Sequence, residues 1–168
     1  MSLHSHLENL VTYNTWVSEQ LVTWLEKYPE ELLLQEHPSS FSSIAKSLKH
    51  ISDTQRYWSA IIRETAIPEF DYIPQYVDVK AEMKNLVTEA WHLEAYVKEN
   101  LAGMGEPVLI ESQWFSSNFP KSEYLQHMLI HTTYHRGQIV TIGHNVDVVK
   151  APMLDYNFWN VMRQQGGQ

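Results

Sequence analysis

Four long stretches of this chain carry apolar residues at every third or fourth position, the spacing of one face of an α-helix. They cover residues 3–28, about 43–65, 77–102 and 121–143. The chain lacks a convincing alternation of apolar and polar residues, which strands with one buried face would need. The sequence therefore predicts an all-α fold, a four-helix bundle in which each helix buries its apolar face against the others.

Prolines and turn residues predict where these helices begin and end. Ser42 or Ser43 is a candidate cap for the second helix, and Ser122 for the fourth. Gly143 lies where a C-terminal stop is expected. Gly137, in the middle of the fourth helix, predicts a close helix contact, for which Trp16 and Trp58 are candidates.

Long connections follow the second and third predicted helices. The first, residues 66–75, contains two prolines, and the second, residues 103–120, is the longest irregular segment. Residues 108–110 and 114–115 within it are candidates for short extended pieces. Both connections are long enough to cross an end of the bundle. A short closing helix is predicted over residues 154–162, and the absence of a linker or repeat predicts one domain over residues 1–168.

The composition narrows the classes of function. With 20 acidic against 12 basic residues, the formal charge is −8, so nucleic acid is not an expected partner. Uninterrupted apolar runs stay far short of the roughly 20 residues that span a bilayer. Cysteine is absent, which excludes disulfides, thiolate nucleophiles and sulfur-ligated metals. The first ten residues show no signal-peptide pattern, so a cytoplasmic location is expected.

Nine histidines are many for 168 residues, and three of them form a stripe. His127, His131 and His135 are spaced by four residues and so lie on one face of the fourth helix. Two imidazoles one turn apart can reach one metal ion. The stripe also fits solvated or hydrogen-bonded histidines, and periodicity alone does not separate these readings.

One helix cannot complete a metal site, so a ligand from another helix is required. His50 lies on the second predicted helix beside the apolar positions Leu48 and Ile51, near the inward face. A buried histidine bonded to a backbone carbonyl is the alternative for a residue of this kind. Together with the stripe on the fourth helix, His50 is the natural third ligand.

Several short motifs occur in a fixed order along the chain. They are Tyr13-Asn14-Thr15-Trp16, a Phe-Ser-Ser-Ile entry to the second helix followed by His50 and Trp58, then His131-x-x-x-His135-Arg136-Gly137-Gln138, and finally Pro152-x-x-Asp155-Tyr156. This pattern resembles the DinB/YfiT-like superfamily from about Leu7 to Trp159. The His-Arg-Gly-Gln tetrapeptide, preceded by a histidine one turn earlier, is its most specific part.

The resemblance implies a metal centre and a chemistry. The superfamily's three metal-binding histidines fall on His50, His131 and His135. Its members are four-helix bundles that bind one divalent transition ion, often as dimers, so a homodimer is expected. Zn²⁺ and Ni²⁺ are favoured here, with Fe²⁺ and Mn²⁺ as alternatives. Some members are metal-dependent transferases that use a low-molecular-weight thiol.

Other residues near the expected centre receive supporting roles. His127 is assigned to the second shell or the pocket, because the superfamily pattern uses the two later histidines. Gln138, Tyr134 and Asp53 are assigned to the same surroundings, and Asp53 and Tyr134 are also candidate bases. Many members have Asn just before the first paired histidine, where this chain has Ile130.

Three hypotheses of function follow. The first is a metal-dependent enzyme with a small-molecule substrate, with thiol transfer favoured over hydrolysis. The second is a metal-binding or metal-sensing bundle without turnover. The third is an interaction bundle whose histidines are vestigial. An open pocket lined by Trp and Tyr favours the first, and a site closed by a fourth protein ligand such as His127 favours the second.

Overall fold

The four predicted long helices are present in the structure, a computed structural model that describes residues 2–72, 74–113 and 115–166. They are α1 (Leu3–Leu25), α3 (Ile44–Arg63), α4 (Val79–Glu99) and α5 (Lys121–Asn145). α3 packs against both α4 and α5, and α1 packs against α4. The all-α bundle predicted from the apolar periodicity is confirmed.

Side-chain caps begin three of these helices. In α1, Ser2 Oγ accepts a hydrogen bond from the backbone N–H of Ser5 (3.2 Å). Ser43 Oγ accepts a hydrogen bond from the backbone N–H of Lys46 (3.1 Å), and Asp78 accepts one from that of Ala81 (2.9 Å). The predicted cap Ser122 is wrong, because α5 already begins at Lys121. The backbone N–H of that first residue donates instead to the Glu106 carbonyl (3.0 Å).

Shorter elements complete the chain. A short helix, α2 (Glu30–Leu34), follows Pro29. The predicted closing helix is α6 (Tyr156–Gly166), which begins two residues later than expected and ends four residues later. A 3₁₀ turn (Leu101–Gly105) leads into the hairpin of β1 (Pro107–Glu111) and β2 (Ser116–Pro120). β1 contains the predicted extended residues 108–110. Of the other predicted piece, Phe115 precedes β2 and Trp114 lies outside the described residues.

The core contains three apolar clusters. The smallest, formed by Tyr13, Val17 and Trp159, lies between α1 and α6, and the two large ones are stacked along the bundle. One includes Leu25, Leu48 and Ile139, and the other includes Leu7 and Leu125. Along α5, residues 130–138 separate these clusters, and this is the segment that carries the paired histidines. The site therefore lies at mid-height, between two well-packed ends that hold α3 and α5 together. Among the described residues, no helix is both long and apolar enough to cross a membrane.

The two glycines of α5 have different roles from those predicted. α5 continues past Gly143 to Asn145, and a Cβ at Gly143 would lie 2.5 Å from the Val148 backbone oxygen. This glycine permits a close approach of the following loop. The predicted close contact at Gly137 is wrong, since a Cβ there would meet no described atom within 4 Å.

We expect the same substitution at these two glycines to have opposite effects on stability. Gly143→Ala should lower the free energy of unfolding by about 1–3 kcal/mol, because the added methyl overlaps the Val148 carbonyl. Gly137→Ala should raise it by up to about 1 kcal/mol, because alanine is the better helix former and has room. Urea denaturation measures both, and two effects of the same sign would contradict this account.

Candidate metal centre

Three histidine rings meet between α3 and α5. His131 and His135 are one turn apart on α5, and their Nε2 atoms are 3.3 Å apart. His50 comes from α3, with its ring centroid 5.1 Å from that of His131 and 4.4 Å from that of His135. One potential ligand atom from each residue lies within 4.8 Å of the other two. The close packing of α3 on α5 brings together residues that are 81 and 85 positions apart in sequence.

The electrostatics of this cluster favour neutral rings. The pKa of His50 is lowered to about 4, mainly by burial and to a smaller extent by the nearby His135 and His131. Burial, followed by His135 and His127, likewise lowers the pKa of His131 to about 4. At neutral pH both rings therefore keep a free lone pair, which is the form of imidazole that binds a metal ion.

Two neighbouring side chains hold the rings in place. His135 Nδ1–H donates a hydrogen bond to Gln138 Oε1 (2.8 Å), which leaves the lone pair of this histidine on Nε2. The Phe41 ring stacks on His50 at 4.3 Å and meets His135 edge-on at 5.4 Å. Phe41 begins the Phe-Ser-Ser-Ile motif, but nothing in the sequence indicated its contact with the histidine rings.

The donor set fits a divalent transition ion. Nitrogen ligands of a tetrahedral Zn²⁺ ion lie about 3.4 Å apart, close to the 3.3 Å between the two Nε2 atoms of α5. His131 Nδ1 is buried without a hydrogen-bond partner among the described residues. Imidazole ligands suit Zn²⁺, Ni²⁺ and Fe²⁺ alike, so the residues define a site and leave the identity of the ion open.

His127 lies beside this cluster but outside it. Its ring centroid is 5.9 Å from that of His131, and its ring packs edge-on against Trp58 at 4.7 Å. Its side chain is exposed and lines the neighbouring cavity. The structure thus places His127 in the pocket wall, one turn away from the three converging rings.

The two candidate bases lie on different sides of the cluster. Tyr134 is 64% exposed and touches His135 edge-on at 5.0 Å, facing a shallow depression on the outer surface. Asp53 is only 8% exposed and lines the cavity one turn after His50. It forms ion pairs with Lys49 and with Arg56, the latter at 3.5 Å.

A cavity of about 450 Å³ opens onto His50 and His131. Its wall is mainly aromatic, formed by Phe41, Tyr57, Trp58, Phe70, Tyr72 and Phe115. Phe70 and Tyr72 belong to the connection after α3, and Phe115 to the hairpin. Both connections were predicted to be long enough to cross an end of the bundle, but nothing in their composition indicated that they would form a wall of the cavity beside the histidines.

The lowered pKa values predict a pH-dependent stability of the metal-free protein. Between pH 6.5 and about 4 the unfolded chain binds protons at His50 and His131 and the folded chain does not. The free energy of unfolding should therefore fall as pH drops through this window, and this contribution should be complete above pH 6.5. Urea denaturation with a chelator present measures it. His50→Gln/His131→Gln should flatten the profile, and an unchanged slope in that variant would contradict the assignment.

The fold and the cluster together define a class, helical bundles with a three-histidine site between two of their helices. The DinB family model matches residues 1–162, and the chain belongs to the DinB family. The resemblance inferred from the short motifs is therefore confirmed.

Individual relatives agree with this assignment. The chain is 27% identical over 165 residues to Protein DinB of Bacillus subtilis (strain 168), a match that covers 91% of this chain and 92% of that protein. A crystal structure of a DinB-like protein from Bacillus cereus ATCC 10987 superposes with a TM-score of 0.68. Its sequence identity is 15%, and the alignment covers 85% of this chain and 93% of the other, so this likeness concerns the fold.

Proposed function

We propose that this protein is a metal-dependent enzyme that transfers a low-molecular-weight thiol to a small electrophilic substrate. The observation that carries the proposal is the cavity of about 450 Å³ that opens onto His50 and His131. A substrate there would lie beside two of the three proposed ligands. Three histidine ligands with open positions are typical of catalytic sites, whereas structural sites are closed by four protein groups.

In this proposal His50, His131 and His135 hold one divalent ion. When bound, the ion supplies Lewis acidity, which favours the thiolate form of a thiol that enters the adjoining cavity. Gln138 fixes the orientation of the His135 ring through its 2.8 Å hydrogen bond. Since the chain has no cysteine, the thiol comes from a cosubstrate.

An aromatic and an acidic side chain of the cavity wall have the remaining roles in this proposal. Trp58 is held in place by stacking on Tyr124 at 5.4 Å, and offers a flat apolar surface to the substrate. Asp53 is the acidic side chain closest in sequence to a ligand. Its buried Oδ1 makes no hydrogen bond to a described residue, although it lies 3.5 Å from the Arg56 guanidinium. We assign Asp53 the role of accepting the thiol proton, directly or through water.

The competing functions have less support. A non-catalytic metal-binding or sensing bundle would be expected to close the site with a fourth protein ligand, and the candidate, His127, packs on Trp58 instead. Metal-dependent hydrolysis uses the same open site, and it stays the second candidate because water needs no further binding group. The homodimer and the cytoplasmic location stay predictions, and light scattering would test the first of them.

Conjugation of a thiol to 1-chloro-2,4-dinitrobenzene tests the proposal. The protein is loaded with Zn²⁺ or Ni²⁺ and supplied in turn with glutathione, cysteine or coenzyme A. In the reaction a sulfur–carbon bond forms, chloride leaves, and the thiol proton passes to a base. Metal-dependent product with at least one thiol is expected from the wild type and from His144→Ala, a histidine on the same helix away from the cluster. No product above the rate of His131→Ala/His135→Ala would contradict thiol transfer.

A further inference from the structure

Arg136 on α5 is a buried cation without a carboxylate partner. Its side chain is 5% exposed, and it donates hydrogen bonds to the hydroxyls of Thr132 (3.3 Å) and Thr133 (2.6 Å). Its guanidinium carbon lies 6.0 Å from the centre of the Tyr13 ring. Within the described part of the chain it forms no ion pair, and its recorded contacts are with neutral groups. Buried charges in proteins are normally compensated by an opposite charge. Arg136 is therefore unusual, because no described residue serves as its counterion.

Arg136 lines a groove of about 810 Å³ between α1 and α5, and its guanidinium lies close to two other lining residues, Thr133 and Tyr13. Most of the groove wall is apolar, formed by Leu10, Leu129, Ile130, Val140, Met153 and Leu154. Residues 129 and 140 are separated by three helical turns, so the groove follows α5 for about 16 Å. Gly137 also lines it and contributes no side chain. The groove is therefore long, apolar and open, and the buried Arg136 lies part-way along its wall.

The charges around this groove favour an anion. Lys150 lines it in addition to Arg136, and Asp155 is its single acidic lining residue among those described. The Asp155 side chain is exposed and forms no ion pair with Arg136 within the described ranges. None of the residues lining this groove lines the cavity beside the histidines. The two are separate sites on different faces of α5.

We propose that the groove between α1 and α5 binds an amphiphilic organic anion, a carboxylate with a flexible apolar tail. The carboxylate pairs with the Arg136 guanidinium, whose planar fork matches it, and the tail lies along the apolar wall of α5. This site is independent of the metal centre. It gives the buried arginine its counterion and covers apolar surface that is otherwise open to water.

Binding of sodium octanoate, measured by isothermal titration calorimetry, tests the proposal. The wild type should bind octanoate at one site, and 1-octanol, which has the same tail without the charge, at least about tenfold more weakly. Arg136→Met keeps the length of the side chain and removes its charge, so it should abolish this preference for octanoate. Equal affinities for octanoate and octanol in the wild type, or no octanoate binding at all, would overturn the proposal.

A second pair of variants keeps the test valid if Arg136→Met fails to fold. Ile130 is 62% exposed at the groove, and Ile67 is 49% exposed in the connection after α3, outside it. Ile130→Glu places a carboxylate in the groove and should weaken octanoate binding at least about tenfold, whereas Ile67→Glu should leave it unchanged. Equal effects of the two substitutions would overturn the site. Light scattering that shows a dimer excluding octanoate would assign the groove to a second copy and would also overturn it.

Discussion

Replacing His135 with alanine is expected to lower the affinity of this protein for Zn²⁺ by more than about 100-fold. Loss of a supporting hydrogen bond to a ligand already costs 10–100-fold, and loss of the ligand itself should cost more. His135 is also the best oriented of the three, since its Nδ1 proton is held by Gln138 and its ring by Phe41. Competition with a chromophoric chelator measures the affinity. His50→Ala and His131→Ala should give losses of similar size.

Two further variants on α5 separate a ligand role from a structural one. His127→Ala is the matched control, because it makes the same change one or two turns away on the same helix. It should leave Zn²⁺ affinity unchanged, since the His127 ring packs on Trp58. Gln138→Leu should weaken binding by about 10–100-fold through loss of its hydrogen bond. A loss for His127→Ala as large as that for His135→Ala would contradict the assigned ligand set.

Metal binding should also stabilise the folded chain strongly. An ion that binds only the folded state, at a free concentration 100 times its dissociation constant, raises the free energy of unfolding by about 2.7 kcal/mol. The site joins α3 to α5, so the gain should appear in the unfolding of the whole bundle. Urea denaturation with Zn²⁺ and with a chelator measures the difference.

The double variant His131→Ala/His135→Ala provides the control for this stability effect. It removes two of the three donors and leaves the other histidines in place. Its unfolding should be the same with Zn²⁺ and with chelator. An equal metal-dependent gain in this variant and in the wild type would show that the ion binds elsewhere.

The long helices were predictable because a helix that buries one face needs apolar residues at every third or fourth position, and this spacing can be read directly from the sequence. The 3₁₀ turn and the hairpin were less so, because their stability comes from tertiary contacts. The hydroxyl of Tyr124 donates to the Val108 carbonyl and accepts from the Phe119 backbone N–H, and so ties the hairpin to α5. Gly143 shows the same limit, since its role depends on the position of the Val148 carbonyl.

The candidate site was predictable to a similar extent. The spacing of His131 and His135 fixes their proximity, because residues four apart on a helix share a face. The arrival of His50 depends on how α3 packs on α5. Its place beside the apolar Leu48 and Ile51 indicated an inward position, and the resemblance to a family supported its role as a ligand. The partners of Arg136 were not predictable. Its side chain donates hydrogen bonds to Thr132 and Thr133 on its own helix, and the sequence motif alone does not indicate these contacts.

The metal content of the untagged protein as purified tests the central claim most directly. Plasma mass spectrometry is applied to the wild type and to His131→Ala/His135→Ala, prepared identically and reconstituted with Zn²⁺, Ni²⁺ and Mn²⁺ in parallel. We predict close to one ion per chain in the wild type and none retained by the variant, a result that would also name the ion. Absence of metal from both proteins after reconstitution, or equal amounts in both, would contradict the three-histidine centre.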